Sequence, residues 1–128
     1  MKYLLLLGRI LYSAIFLMTI VNHFSEGAIA YANSQGVPFA AVLVPFSGIM
    51  AFVGGVSIIL GYKARWGALL IVLFLVPVTF MMHKFWAVVD PMQAQIQMAM
   101  FMKNISMLGA ALIIMYLGTG PLSLDRLS

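Results

Sequence analysis

The sequence predicts an all-α integral membrane protein, a four-helix bundle with a short interfacial helix between spans 1 and 2. Two observations carry this prediction. Of 128 residues, 64% are hydrophobic and only 8% are charged, against roughly 25% charged in a soluble domain. A chain this apolar has no surface polar enough for water, so the bilayer is its solvent. The apolar residues also fall into runs at about 4–24, 39–60, 66–82 and 98–117, each near the roughly 20 residues that span a hydrocarbon core as helix. Residues 1–128 are expected to form one transmembrane domain.

Composition also excludes functions. The net charge of +4 reflects position along the membrane normal, because the basic residues are scattered and form no patch with exposed aromatics for nucleic acid. The chain has no Cys, which removes thiol relays and thiolate-ligated metal or iron–sulfur centres.

The apolar start resembles a secretory signal, but its run from Leu4 to Val21 exceeds the roughly 7–15 residues of a signal core. It is read as a retained span. Arg9, Tyr12, Phe16, Thr19 and His23 follow at intervals of three or four, one polar helical face that points into a bundle. Ser25 as N-cap and Gly36 as C-cap bracket a short interfacial helix over 28–35, with Pro38 as its stop. Glu26 stands three residues from His23, but is read as a solvated loop acid. In the second span, Pro45 frees the Ala41 carbonyl, while Ser47, Ala51, Gly54 and Gly55 form a small-residue face for close helix packing. Gly61–Arg65 is a tight basic turn. Trp66 opens the third span, in which Pro77 frees the Leu73 carbonyl and predicts a kink. The linker 83–97 precedes the fourth span, which ends at Gly118-Thr119-Gly120-Pro121.

Lys2, Arg9, Lys63, Arg65 and Arg126 fall on one side, and Lys84 and Lys103 on the other. This bias favours a multi-pass protein with both termini cytoplasmic and the 83–97 linker outside. Arg9 lies part-way into the bilayer, where it either snorkels outward or meets an internal partner. Asp125, the one carboxylate on its side, is the expected ion-pair partner.

The polar residues between the last two spans mark the candidate site, because ionisable groups at membrane depth are costly unless they face protein or water. His83, Trp86, Lys103 and Asn104 are expected to converge on one cavity near the outer surface. Tyr12, Phe16 and His23 of the first span would form its third wall. Asn104 lies roughly 100° around the helix from Lys103, so only one of the two points at the centre.

The order of Leu7-Gly8-Arg9, Gly36-Val37-Pro38, Val53-Gly54-Gly55, Leu60-Gly61, Thr79-Phe80 and His83-Lys84-Phe85-Trp86 resembles the DoxX family of small four-helix membrane proteins. Phe101-Met102-Lys103-Asn104 and Gly120-Pro121-Leu122-Ser123-Leu124-Asp125 extend the resemblance over nearly the whole chain. One departure is that many members have a glutamate just before the paired glycines, where this chain has Ala51 or Phe52. Proton or cation chemistry that depends on that acid is not expected here. The resemblance implies a bacterial-type plasma (inner) membrane location and an association with thiosulfate–quinone oxidoreduction or oxidative-stress complexes.

Three functions are weighed. The first is an accessory subunit of a membrane oxidoreductase, with a pocket for a quinone or similar lipid-like ring. Against it stands a plainer account, in which Lys103 pairs with Asp90 while Phe85 and Trp86 belong to an aromatic belt. The second is Cu(I) handling through Met81, Met82, Met92, Met98, Met100 and Met102 with imidazole, disfavoured because Met also fills cores and Lys repels a cation. The third is a non-enzymatic scaffold. No catalytic constellation, metal site or intrinsic cofactor is identified; a quinone is the group the pocket would hold. The partners considered are the bilayer, a membrane or peripheral redox protein, and a second copy of the chain.

Overall fold

A computed structural model describes residues 2–126, the Arg126 side chain excepted. The reading of Met1 as the start of a retained span, and the charge counted at Arg126, therefore lie outside the described residues. The chain forms five α-helices: α1 (Lys2–Met18), α2 (Glu26–Ser34), α3 (Ala40–Leu60), α4 (Ala64–Met82) and α5 (Pro91–Leu117). Single 3₁₀ turns follow at Val21–Phe24, Phe85–Ala87 and Leu124–Arg126, and the described residues contain no strand. Four segments are long and apolar enough to cross a membrane: Lys2–Phe24, Ala40–Leu60, Ala64–Ala87 and Pro91–Leu117.

Local chemistry sets the helix ends. Ser25 accepts from the Ala28 N–H at 3.1 Å and opens α2. After α2, Val37 N–H bonds Ala32 O and Gly36 N–H bonds Asn33 O, both at 3.1 Å, the paired bonds of a Schellman stop with Gly36 left-handed. The first span leaves α-geometry at Met18, where the Thr19 hydroxyl bonds the Ile15 carbonyl. α5 begins at Pro91, well before the expected start near residue 98. Asp90 caps it by accepting from Gln93 N–H at 3.3 Å, with Pro91 in the first turn. Gln93, Gln95 and Gln97 are thus helical and not part of the linker.

α3 is the central slab, packed on α1 at one side and α4 at the other, with α5 packed on the far side of α4. The adjacent glycines of α3 serve different neighbours. A Cβ on Gly54 would sit 2.7 Å from the Gly67 carbonyl oxygen of α4, and one on Gly55 would sit 3.3 Å from Phe16 Cβ of α1. Between these helices lies a core of Phe16, Ala51, Ile58, Ala68, Ile71, Phe74, Leu75 and Ala111. Ala51 contributes only a buried methyl to that core. α1 and α5 stand further apart and are bridged by Tyr12, whose hydroxyl donates to the Met107 carbonyl at 2.6 Å.

Because the Gly54 contact is with backbone, the neighbour cannot rotate away. Gly54→Ala is expected to destabilise the protein by about 1–3 kcal/mol, the range for overpacking. Gly109→Ala, where a Cβ meets nothing within 4 Å, is expected to leave stability unchanged or raised. Thermal unfolding in detergent compares the two.

Candidate functional site

Contacts divide the seven sequence-predicted residues into separate groups. At the end of α4, His83 Nδ1 lies 2.8 Å from Gln97 Oε1 of α5. An amide oxygen only accepts, so Nδ1 is the donor in this contact. Trp86 belongs to an aromatic cluster over the same helices. Its ring centroid is 5.2 Å from Phe85 and 5.9 Å from Phe101, and Phe101 is 5.4 Å from Phe80. Two further bonds draw α2 against this end: Tyr31 O–H to Met82 O, and Lys84 Nζ to Gln35 O, both at 2.9 Å.

A second group lies deeper. The Tyr12 and Phe16 rings are 5.5 Å apart, and Phe74 lies 6.2 Å from Phe16 and 5.6 Å from His23. His23 is held by Nδ1 at 2.9 Å from the Thr19 carbonyl oxygen, against Gly48, where a Cβ would lie 2.5 Å from its own Cβ. Asn104 stands one helical turn from Met107, the residue Tyr12 reaches. It is 4% exposed, yet its amide makes no hydrogen bond among the described residues. The Phe80–Phe101 contact sets the register of α4 against α5 and puts buried Thr79 at a depth similar to Asn104.

Lys103 joins neither group. It is exposed, and its Nζ lies 3.5 Å from Met100 Sδ on the same helix. This follows from the roughly 100° step between successive residues: with Asn104 turned inward, Lys103 faces outward. No His83–Lys103 contact and no Lys103–Asp90 pair is present among the described residues. Gln97 and Phe74 were not singled out in the sequence. The spacing 97–101–104 places Gln97 on the inward stripe of α5, a signal hidden while residue 97 was assigned to a linker.

The opposite end, where the first helix starts and the tail returns, is tied by Arg9. Only 5% exposed, it donates through Nη2 to the carbonyls of Pro121, at 3.4 Å, and Leu122. No Arg9–Asp125 ion pair is present among the described residues. The Asp125 carboxylate instead accepts from the N–H groups of Lys63, at 2.7 Å, and Ala64, at 3.2 Å. It thereby caps α4, where two orphan amides outbid a cation already served by carbonyls. Asp125 N–H also bonds the Gly61 carbonyl at 2.7 Å. Gly61, at φ +67°, has the Arg9 guanidinium 2.5 Å from where a Cβ would stand and Ser123 closer still, so no side chain fits.

A family model, DoxX, matches residues 4–84. The chain belongs to the DoxX family. Among its relatives, inner membrane protein YphA of Escherichia coli K12 is 29% identical over 96% of this chain and 89% of the relative. Inner membrane protein YqjF of the same strain is 31% identical over 79% of this chain and 72% of the relative. No solved structure matches this DoxX protein significantly. Among the described residues, no three His, Cys, Asp or Glu side chains gather as a metal ion would require.

The capping geometry yields a discriminating prediction. An Asn keeps one of the two acceptor oxygens that Lys63 and Ala64 N–H use, so Asp125→Asn should cost this DoxX protein less than Asp125→Ala, which should cost about 0.5–2 kcal/mol. An ion pair with Arg9 would instead make both variants equally damaging in a thermal melt.

Proposed function

We propose that this DoxX protein is a multi-pass inner-membrane binding subunit, both termini cytoplasmic, that holds a quinone or similar lipid-like ring in its outer half. A membrane or peripheral redox partner would carry the electron chemistry, because the chain has no redox group of its own. The single observation supporting the ring site is Asn104. Its side chain is buried as a whole and its amide has no hydrogen-bond partner among the described residues, so it is able to pair with a ligand carbonyl or hydroxyl. Tyr12, Phe16 and Phe74 supply aromatic walls beside it, with His23 at the far edge. Nearer the surface, the Phe80–Phe101–Phe85–Trp86 cluster and His83 would border the entry, with Nε2 available to a quinol hydroxyl. Lys103, turned outward on α5, has no part in this arrangement. The inner-membrane placement rests on the names of the two relatives, and the orientation on the bias of basic residues.

The experiment is lipid extraction and mass spectrometry of the detergent-purified protein, with ultraviolet–visible spectra, compared between native and Asn104→Leu. Native protein should carry a quinone in stoichiometric amount, and the variant should have lost it. The ligand-free variant should melt no lower than ligand-free native protein, since Leu removes an unpaired buried amide. Absence of any quinone from both, or equal retention by both, would remove Asn104 and the ring site from the proposal.

A further inference from the structure

A different site lies at the Arg9 end. α1 and α5 diverge there around a cleft of about 320 Å³, walled by Leu4, Leu5 and Gly8 from one helix and Ile113, Ile114 and Leu117 from the other. Residues 118–120 and Arg9 close its end. Gly8 faces open space, since an added Cβ would meet nothing within 4 Å. The walls are those of a slot for a hydrocarbon chain, and the closed end is cationic. Arg9 spends Nη2 on the tail carbonyls, while its Nε and Nη1 are buried without a hydrogen-bond partner. A second cleft, of about 410 Å³, shares Leu117, Gly118 and Thr119 with the first and is lined by Lys63 and Arg65. The Arg65 Nε lies 3.4 Å from where a Gly118 Cβ would stand, so the two guanidinium groups flank one short wall.

Charge at this end is unbalanced. Lys2, Arg9, Lys63 and Arg65 meet one described carboxylate, Asp125, which is engaged with the α4 amides. α5 ends here with its carbonyls outward, so the helix dipole repels an anion and the cations alone must attract it. The geometry points to a binding site for one acidic phospholipid, with an acyl chain in the α1–α5 cleft and its phosphate at Arg65, drawn also by the nearby buried charge of Arg9. A soluble phosphate would satisfy the charge but leave the apolar slot unfilled, which favours the lipid.

The test is native mass spectrometry of the full chain with equimolar phosphatidylglycerol and phosphatidylcholine of identical acyl chains. Two nearby cations should favour the acidic lipid by roughly tenfold or more. Arg65→Gln should reduce the preference, and Gly8→Leu, whose Cβ meets nothing within 4 Å and whose side chain enters the slot, should abolish the bound lipid. Should Gly8→Leu fold poorly, Ile113→Trp fills the same slot from the exposed side of α5 and should give the same loss. Equal binding of both lipids by the native protein would overturn the site. So would acidic-lipid binding that survives the slot-filling variants, since general surface charge needs no slot. Displacement of the lipid by millimolar inorganic phosphate would likewise overturn it.

Discussion

The fold depends on how one buried cation is accommodated. A guanidinium inside a bilayer must find oxygen atoms, since lipid tails offer none. Arg9 finds them in the carbonyls of Pro121 and Leu122, and this draws the C-terminal tail beneath the first helix. Once there, the tail presents Asp125 to the start of α4 and its own N–H to Gly61. Three segments far apart in sequence are thereby fixed by polar groups. Hydrophobic burial cannot do this, because apolar faces are equally content against acyl chains.

Elsewhere the bundle is assembled by shape. The paired glycines of α3 let α1 and α4 approach from opposite sides, which makes two tight seams, and α4 packs on α5 in a third. The seam between α1 and α5 is bridged by the long reach of Tyr12. A cleft opens along this seam at the Arg9 end, where the phospholipid is proposed to bind. The phospholipid site lies below the Tyr12 bridge, and the ring site lies above it. Unpaired donors at Arg9 and the unpaired amide of Asn104 mark the two levels.

Much of this was legible from sequence. Four long apolar runs, Ser25 and Gly36 around the short helix, and the small-residue face of the second span all rest on local chemistry that tertiary structure does not override. The stripe from Arg9 to Phe16 was legible for the same reason, because a polar residue at helical spacing has only the interior to face. The separation of His83, Lys103 and Asn104 was not. The side a residue faces depends on the rotation of α5, which is set by packing against α4, and on its true start at Asp90-Pro91. Arg9 meets backbone carbonyls, which leave no mark in a sequence, whereas Asp125 does. A carboxylate in range was the visible candidate, yet it serves α4.

The central claim is that a ring-bearing ligand is held between Tyr12, Phe16 and Asn104. Photolabelling tests it most directly. An azido-quinone analogue, added to the protein in vesicles and activated by light, should attach to peptides containing Asn104 and the Tyr12–Phe16 turn. Excess unlabelled short-chain quinone should suppress that labelling. Labels confined to lipid-facing residues such as Met102 or Tyr116, and indifferent to competitor, would contradict it.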